Sequence, residues 1–331
     1  MNKLQTIFAL TAIFLLSGMF SAQAQENSKS DYQKYYIRLG GGWSFGAGRT
    51  SVGTNYIETS YMEYYGHDDP RETVNRHSIE ESPAKLSFGK GADVMLGFGY
   101  MFNKYIGIEV SLAGVFAGKT SVVNEVSRTN VRDVSSSYLQ EHTTSSSTTS
   151  QVEDFGYTGL YLIPALRVAM PIGRKFSAYS RIGIAMPLMS TGYRSVTSTE
   201  SSSETGWRET SYGGRESVNN SSADTDFIKS RIKSYFTVGM NAALGASFSL
   251  TKNLSLYAEV ESMILSFTMK EETIVTATSN GENVLDSIPV EDRTVQYAKK
   301  LSYDTEYPTK ELAETFSASS VGINVGLIIS F

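Results

Sequence analysis

The 331-residue chain contains no cysteine, so disulfide stapling is excluded and rigidity must come from another source. Histidine is almost as scarce, with His67, His77 and His142 the three present. Beyond the amino-terminal 20 residues no segment approaches the roughly 18 apolar residues that a membrane-spanning helix needs. Any residence in a membrane must therefore be through paired strands, which satisfy each other's backbone amides and carbonyls. Excess positive charge is also missing. With 29 Lys+Arg against 34 Asp+Glu the formal net charge is −5, which argues against a nucleic-acid partner. The glycine groups Gly40-Gly41-Gly42 and Gly97-x-Gly99 lack the following glycine and helix of a dinucleotide loop, so no cofactor is expected.

What is present begins with an export signal. Met1-Asn2-Lys3 supplies a positive start, Ile7 to Phe20 an apolar run too short to span, and Ala22-Gln23-Ala24 a small-x-small cleavage site. Residues 1–24 read as a signal peptide and 25–331 as one mature domain. Removing Lys3 with it moves the formal charge from −5 to −6.

Eight segments alternate with period two: 35–45, 92–102, 106–116, 159–170, 178–186, 236–248, 256–264 and 321–331. In the last, Val321, Ile323, Val325, Leu327, Ile329 and Phe331 oppose Gly322, Asn324, Gly326, Ile328 and Ser330. One such segment fits a half-buried strand of any soluble protein. Eight, most of them reaching about 9–11 residues, match the length of tilted membrane strands. Three connections are short (Asn103-Lys104, 171–175 and 251–253) and four are long (about 47–90, 117–156, 190–233 and 268–318), in strict alternation. Tyr100, Phe102, Tyr105, Phe176 and Phe331 lie near the short turns, where an interfacial aromatic girdle belongs.

On these features the mature chain resembles the OmpA/OmpX-like class of small bacterial outer-membrane barrels. The expected fold is an all-β, transmembrane, antiparallel up-and-down β-barrel of eight strands, with four long extracellular loops and three short periplasmic turns. The resemblance implies that Phe331 is part of the signal read by the barrel-assembly machinery. It also implies an outer-membrane location, with lipid and lipopolysaccharide around the barrel. No peptidoglycan-binding domain is expected after Phe331.

Seven charged residues fall on the polar faces: Arg38, Asp93, Glu109, Arg167, Arg181, Glu259 and Glu261. Eight strands leave an interior that side chains can fill, and buried charges persist when paired. A salt-bridged plug is therefore expected, with a polar conduit as the alternative. Inward glycines are expected to make room for Arg and Tyr side chains. Pro164 cannot donate to a ladder and predicts a bulge. The stretch 273–288, with Asn280-Gly281 at its centre, predicts an extramembrane hairpin rather than two further barrel strands.

The long loops are rich in Ser and Thr, which suits either disorder or solvated hairpins. Tyr61, Tyr64, Tyr65, Trp207 and Tyr212 are their candidate contact residues, since these rings have one apolar and one wet end. Gly66-His67-Asp68-Asp69 carries the residue types of a rim catalytic or cation site. A solvated turn before Pro70 explains it better, so no catalytic or metal residue is assigned. Asp286-Ser287-Ile288 is a three-residue match to a bacterial O-glycosylation signal, too common to carry weight. The expected function is a non-enzymatic surface protein whose loops engage a host or envelope component. The alternatives are a small-solute channel or a lipid-modifying or proteolytic barrel enzyme.

Overall fold

The computed structural model describes residues 33–48, 50–67, 69–135, 140–209, 213–300 and 310–331. The expected signal peptide at 1–24, Asp68 and Tyr212 lie outside the described residues, as do the side chains of Tyr64, Tyr65 and His67. The chain is all-β. Its strands are β1 (Tyr35–Gly46), β2 (Thr50–His67), β3 (Asp69–Leu86), β4 (Gly91–Met101), β5 (Ile106–Ser135), β6 (Gln140–Ile172), β7 (Phe176–Glu209) and β8 (Arg215–Ser234). There follow β9 (Gly239–Ser249), β10 (Leu254–Ile264), β11 (Ser266–Ser279), β12 (Glu282–Asn283), β13 (Thr294–Ala298), β14 (Lys310–Leu312), β15 (Thr315–Ser317) and β16 (Ser320–Ser330).

Antiparallel pairing runs from β1 to β4, β5, β6 and β7, then to β9, β10 and β16. The last of these pairs back onto β1, with Tyr36 opposite Ser330 and Gly46 opposite Ser320. The outward residues keep step across neighbours. Leu256, Leu327, Leu39, Leu96, Leu112 and Leu162 are successive register partners, forming one apolar row. Leu96, Val94, Phe98, Ile323 and Val325 are about half exposed, as an outer face that meets lipid requires.

On the opposite face small residues admit large ones. A side chain at Gly99 would collide with the Tyr36 ring, one at Gly40 with the Tyr257 hydroxyl, and one at Gly245 with the ring of Tyr179. At the short-turn end Tyr35, Phe98, Tyr100, Phe102 and Phe331 form a ring-to-ring chain. Trp43, Phe45, Phe116 and Phe236 are exposed at the other end.

The described residues form more strands than the eight expected: among them sixteen belong to one sheet system. The Ser/Thr-rich connections are themselves extended. β5, β6 and β7 continue well past the apolar row, and β8, β11 and the β2–β3 hairpin flank them. Bulges mark the change. β5 gains one residue between Ala117 and Thr120, where its neighbour switches from β4 to β2. β7 gains Leu188, where its neighbour switches from β9 to β8. A bulge bends a strand and raises its twist, which is what leaving one sheet for another requires.

Pro164 does not produce the bulge expected of it. Val110 faces it on β5, and on the β7 side the register is the same before and after it, with Leu162 opposite Met186 and Ala165 opposite Gly183. One missing donor is cheaper than a register slip that would turn every later side chain to the wrong face. The sixth segment starts as a paired strand only at Gly239, so Phe236 and Val238 precede it. The Asn-Gly turn forms, with Asn280 at φ 50° and Gly281 at φ 83°, but its return strand is the two-residue β12. The partner of β11 is chiefly β8.

Leu96→Lys places an ammonium group in the centre of the leucine row. It should lower folding stability in lipid vesicles by about 2–4 kcal/mol, whereas Asn219→Lys on the exposed part of β8 should change it by less than about 0.5 kcal/mol. Guanidinium titration of both variants checks the difference, and equal losses would contradict the lipid-facing assignment.

Candidate functional site

The inward residue of each strand is fixed by alternation, so the enclosed groups follow from the register. Arg38 of β1 donates to Glu109 of β5 through Nη2 at 2.8 Å and Nε at 3.1 Å, and to Glu259 of β10 through Nη1 at 2.7 Å. Arg181 of β7 reaches the same two carboxylates, at 3.3 Å and 2.7 Å. Two arginines and two glutamates thus make a closed ring, and all four side chains are 0% exposed. The remaining carboxylate oxygens accept from phenols, Tyr36 to Glu109 at 2.8 Å and Tyr179 to Glu259 at 2.9 Å. Ser111 Oγ donates to Glu109 at 2.7 Å.

Arg167 is the third cation. Its guanidinium lies between the rings of Tyr36 (4.7 Å) and Tyr179 (4.2 Å) and 3.8 Å from Glu109. The other two expected members stand apart. Glu261 accepts from the side-chain amides of Asn241 and Asn324. Asp93 accepts from Ser44 Oγ at 2.9 Å. The seven residues therefore divide into a five-member network and two separate carboxylates with neutral donors.

Toward the long-connection end the interior changes character. Phe88, between β3 and β4, stacks on Tyr157 at 5.2 Å and meets Phe267 and Phe316 edge-on at 5.2 and 5.5 Å. Leu86, Tyr161, Ile163, Ile232, Met263 and Leu265 belong to the same buried cluster. The Tyr157 and Tyr161 hydroxyls bond each other, so the apolar plug leaves both phenols satisfied. Sequence reasoning missed this plug. Its signal was the inward alternation of Met263, Leu265, Phe267 and Met269, which continues past Ile264.

Above the plug stands the projecting sheet. Ladder partners Ser127 and Thr148, Thr129 and Ser146, and Ser202 and Ser222 exchange side-chain hydrogen bonds at 3.2, 3.4 and 2.8 Å. Trp207 is in register with His142, and the Arg215 guanidinium lies 4.2 Å from its ring. Tyr61 pairs with Arg76 and Thr129, so β5 and β6 separate it from Trp207. His142 sits 3.5 Å from Asp133 and His77 3.8 Å from Glu58, each about half exposed. Among the described residues no group of three or more His, Cys, Asp or Glu is placed to hold a metal. Phe331 exchanges backbone hydrogen bonds with Tyr35 at 2.9 and 3.1 Å and stacks on its ring at 6.3 Å.

The family described as "Outer membrane protein beta-barrel domain" matches residues 12–284, and the chain belongs to it. It is an outer-membrane β-barrel protein. Similar solved structures include the outer membrane protein OprG from Pseudomonas aeruginosa, at 11% identity over 90% of this chain and 96% of that one, with a TM-score of 0.36. Ail, the attachment invasion locus protein of Yersinia pestis, is 12% identical over 90% and 99% of the two chains, with a TM-score of 0.24. Acinetobacter baumannii CarO2 is 13% identical over 89% and 99%, also with a TM-score of 0.24. No curated protein matches the chain in direct sequence comparison.

Glu109→Ala leaves three guanidinium groups short of a buried partner. It should destabilise the folded protein by about 3–5 kcal/mol, against less than about 1 kcal/mol for Lys233→Ala in an exposed pair. Chemical unfolding in detergent micelles measures both, and a loss at Glu109 no larger than at Lys233 would contradict the network.

Proposed function

We propose that the protein is a non-enzymatic surface barrel that carries a rigid projecting sheet for adhesion or envelope contact. In this reading β1, β4, β5, β6, β7, β9, β10 and β16 form an eight-stranded membrane barrel, and the four long connections lie outside the cell. The carrying observation is the continued pairing of β5, β6 and β7, through one bulge in β5 and one in β7, from the apolar row out to Ser135, Gln140 and Glu209. From Thr120 to Ser135 that is about 50 Å at roughly 3.3 Å per residue, well beyond the headgroup zone. Polar side chains on both faces keep this extension in water, and Tyr61 and Trp207 offer contact rings along it.

Conduction is the weaker reading. The charge ring and the aromatic plug occupy the interior in two successive layers, and an eight-stranded interior is only wide enough for its own side chains. Barrel catalysis has no support from a His-centred constellation among the described residues, because His77 and His142 each face a single carboxylate on a solvent-exposed sheet.

Two measurements test the proposal. In planar bilayers the purified protein should give no steps comparable to those of general porins; such steps would favour the channel. Replacing residues 124–151 and 198–226 by short turns should leave the barrel folded while abolishing binding to host cells or envelope components. Unchanged adhesion together with unchanged membrane integrity would refute the surface role.

A further inference from the structure

Where β8 approaches the lipid belt it carries a repeat of its own. Ser230 and Ile232 are 5% and 1% exposed, so they point inward. Lys229, Arg231 and Lys233 alternate with them and stand exposed on the outer face. Lys270, the extra residue of the β11 bulge, is exposed directly before Glu271, the register partner of Lys233. Against these four cations the neighbouring register positions supply one carboxylate, Glu271, which accepts from Lys233 Nζ at 2.6 Å. Among the described residues Lys229 and Arg231 form no ion pair; Lys229 lies 5.6 Å from the Tyr193 ring. Several cations elsewhere on the projecting strands are matched, Lys119 with Asp154, Arg194 with Glu153 and Arg208 with Glu141.

The column ends on the membrane. Phe236, Val238 and Met240 follow it in the chain with 69%, 53% and 59% exposure, and Leu188 and Met189 lie alongside with 54% and 66%. Cations stacked directly above an exposed apolar surface match an amphipathic anion, with acyl chains against the belt and phosphates at the ammonium and guanidinium groups. We propose that the outer face of β8, with Lys229, Arg231, Lys233 and Lys270, binds the phosphorylated glycolipid of the outer leaflet through its lipid A phosphates. The site rests on the outer-membrane location of the chain and is independent of what the projecting sheet contacts.

The test uses the full chain in neutral detergent micelles, titrated with diphosphoryl lipid A and with the same lipid stripped of phosphate, bound lipid being counted by native mass spectrometry. The triple variant Lys229→Gln, Arg231→Gln, Lys233→Gln should bind diphosphoryl lipid A at least tenfold more weakly, each cation contributing on the order of fivefold. Dephosphorylated lipid A should bind both proteins equally. A control triple variant, Lys85→Gln, Lys90→Gln, Lys119→Gln, removes the same charge elsewhere and should bind as the parent does. Inorganic phosphate at millimolar concentration should not displace the lipid. Heat-modifiable electrophoretic mobility verifies folding of each variant. Equal affinity of parent and β8 variant, equal loss in the control, or displacement by inorganic phosphate would each overturn the proposal.

Discussion

A strand in hydrocarbon has no water to receive its amides and carbonyls, and everything in this molecule follows from that constraint. The first and last strands meet to satisfy it: β16 lies between β10 and β1, and Phe331 is tied to Tyr35 by two backbone bonds. Once the edge is removed, the outward faces need only be apolar. The leucine row through Leu39, Leu96 and Leu327 is the visible consequence. The inward faces meet a different demand, because an enclosed space must be packed or lined. Here Arg38, Arg181, Glu109 and Glu259 pair every formal charge with two of opposite sign, and phenols take the remaining oxygens.

A second boundary lies where the lipid belt ends. Bulges near Gly118 on β5 and at Leu188 on β7 coincide with a change of neighbour, so the same strands belong to two sheets. Below the boundary the outer face is apolar and the inner face charged or aromatic. Above it both faces carry Ser, Thr and Asn, and among the described residues the sheet ends in edges at β3 and β14. The change in solvent, from lipid to water, removes the closure requirement and permits those edges.

The membrane part was legible because lipid imposes a period-two pattern strong enough to read locally. All eight alternating segments correspond to paired strands, with the start of β9 displaced from Phe236 to Gly239. The charge network was legible in part for the same reason: alternation put Arg38, Glu109, Arg167, Arg181 and Glu259 on inward faces, but it put Asp93 and Glu261 there too and did not separate them from the other five. The projecting strands were not, because a sheet solvated on both faces has no apolar period. Runs of hydroxyl residues such as 143–150 look alike whether paired or free. The aromatic plug was hidden by distance along the chain: Phe88, Tyr157, Phe267 and Phe316 meet only after the sheet has closed.

Pairing of the first strand with the last is the claim to test, and the absence of native cysteine makes the test clean. Leu39 and Leu327 are register partners on the outward face. The pair Leu39→Cys with Leu327→Cys should oxidise to an intramolecular disulfide in the outer membrane, while Leu39→Cys with Val321→Cys, well out of register, should not. Failure of the in-register pair to cross-link within one chain, or cross-linking only between chains, would contradict the account.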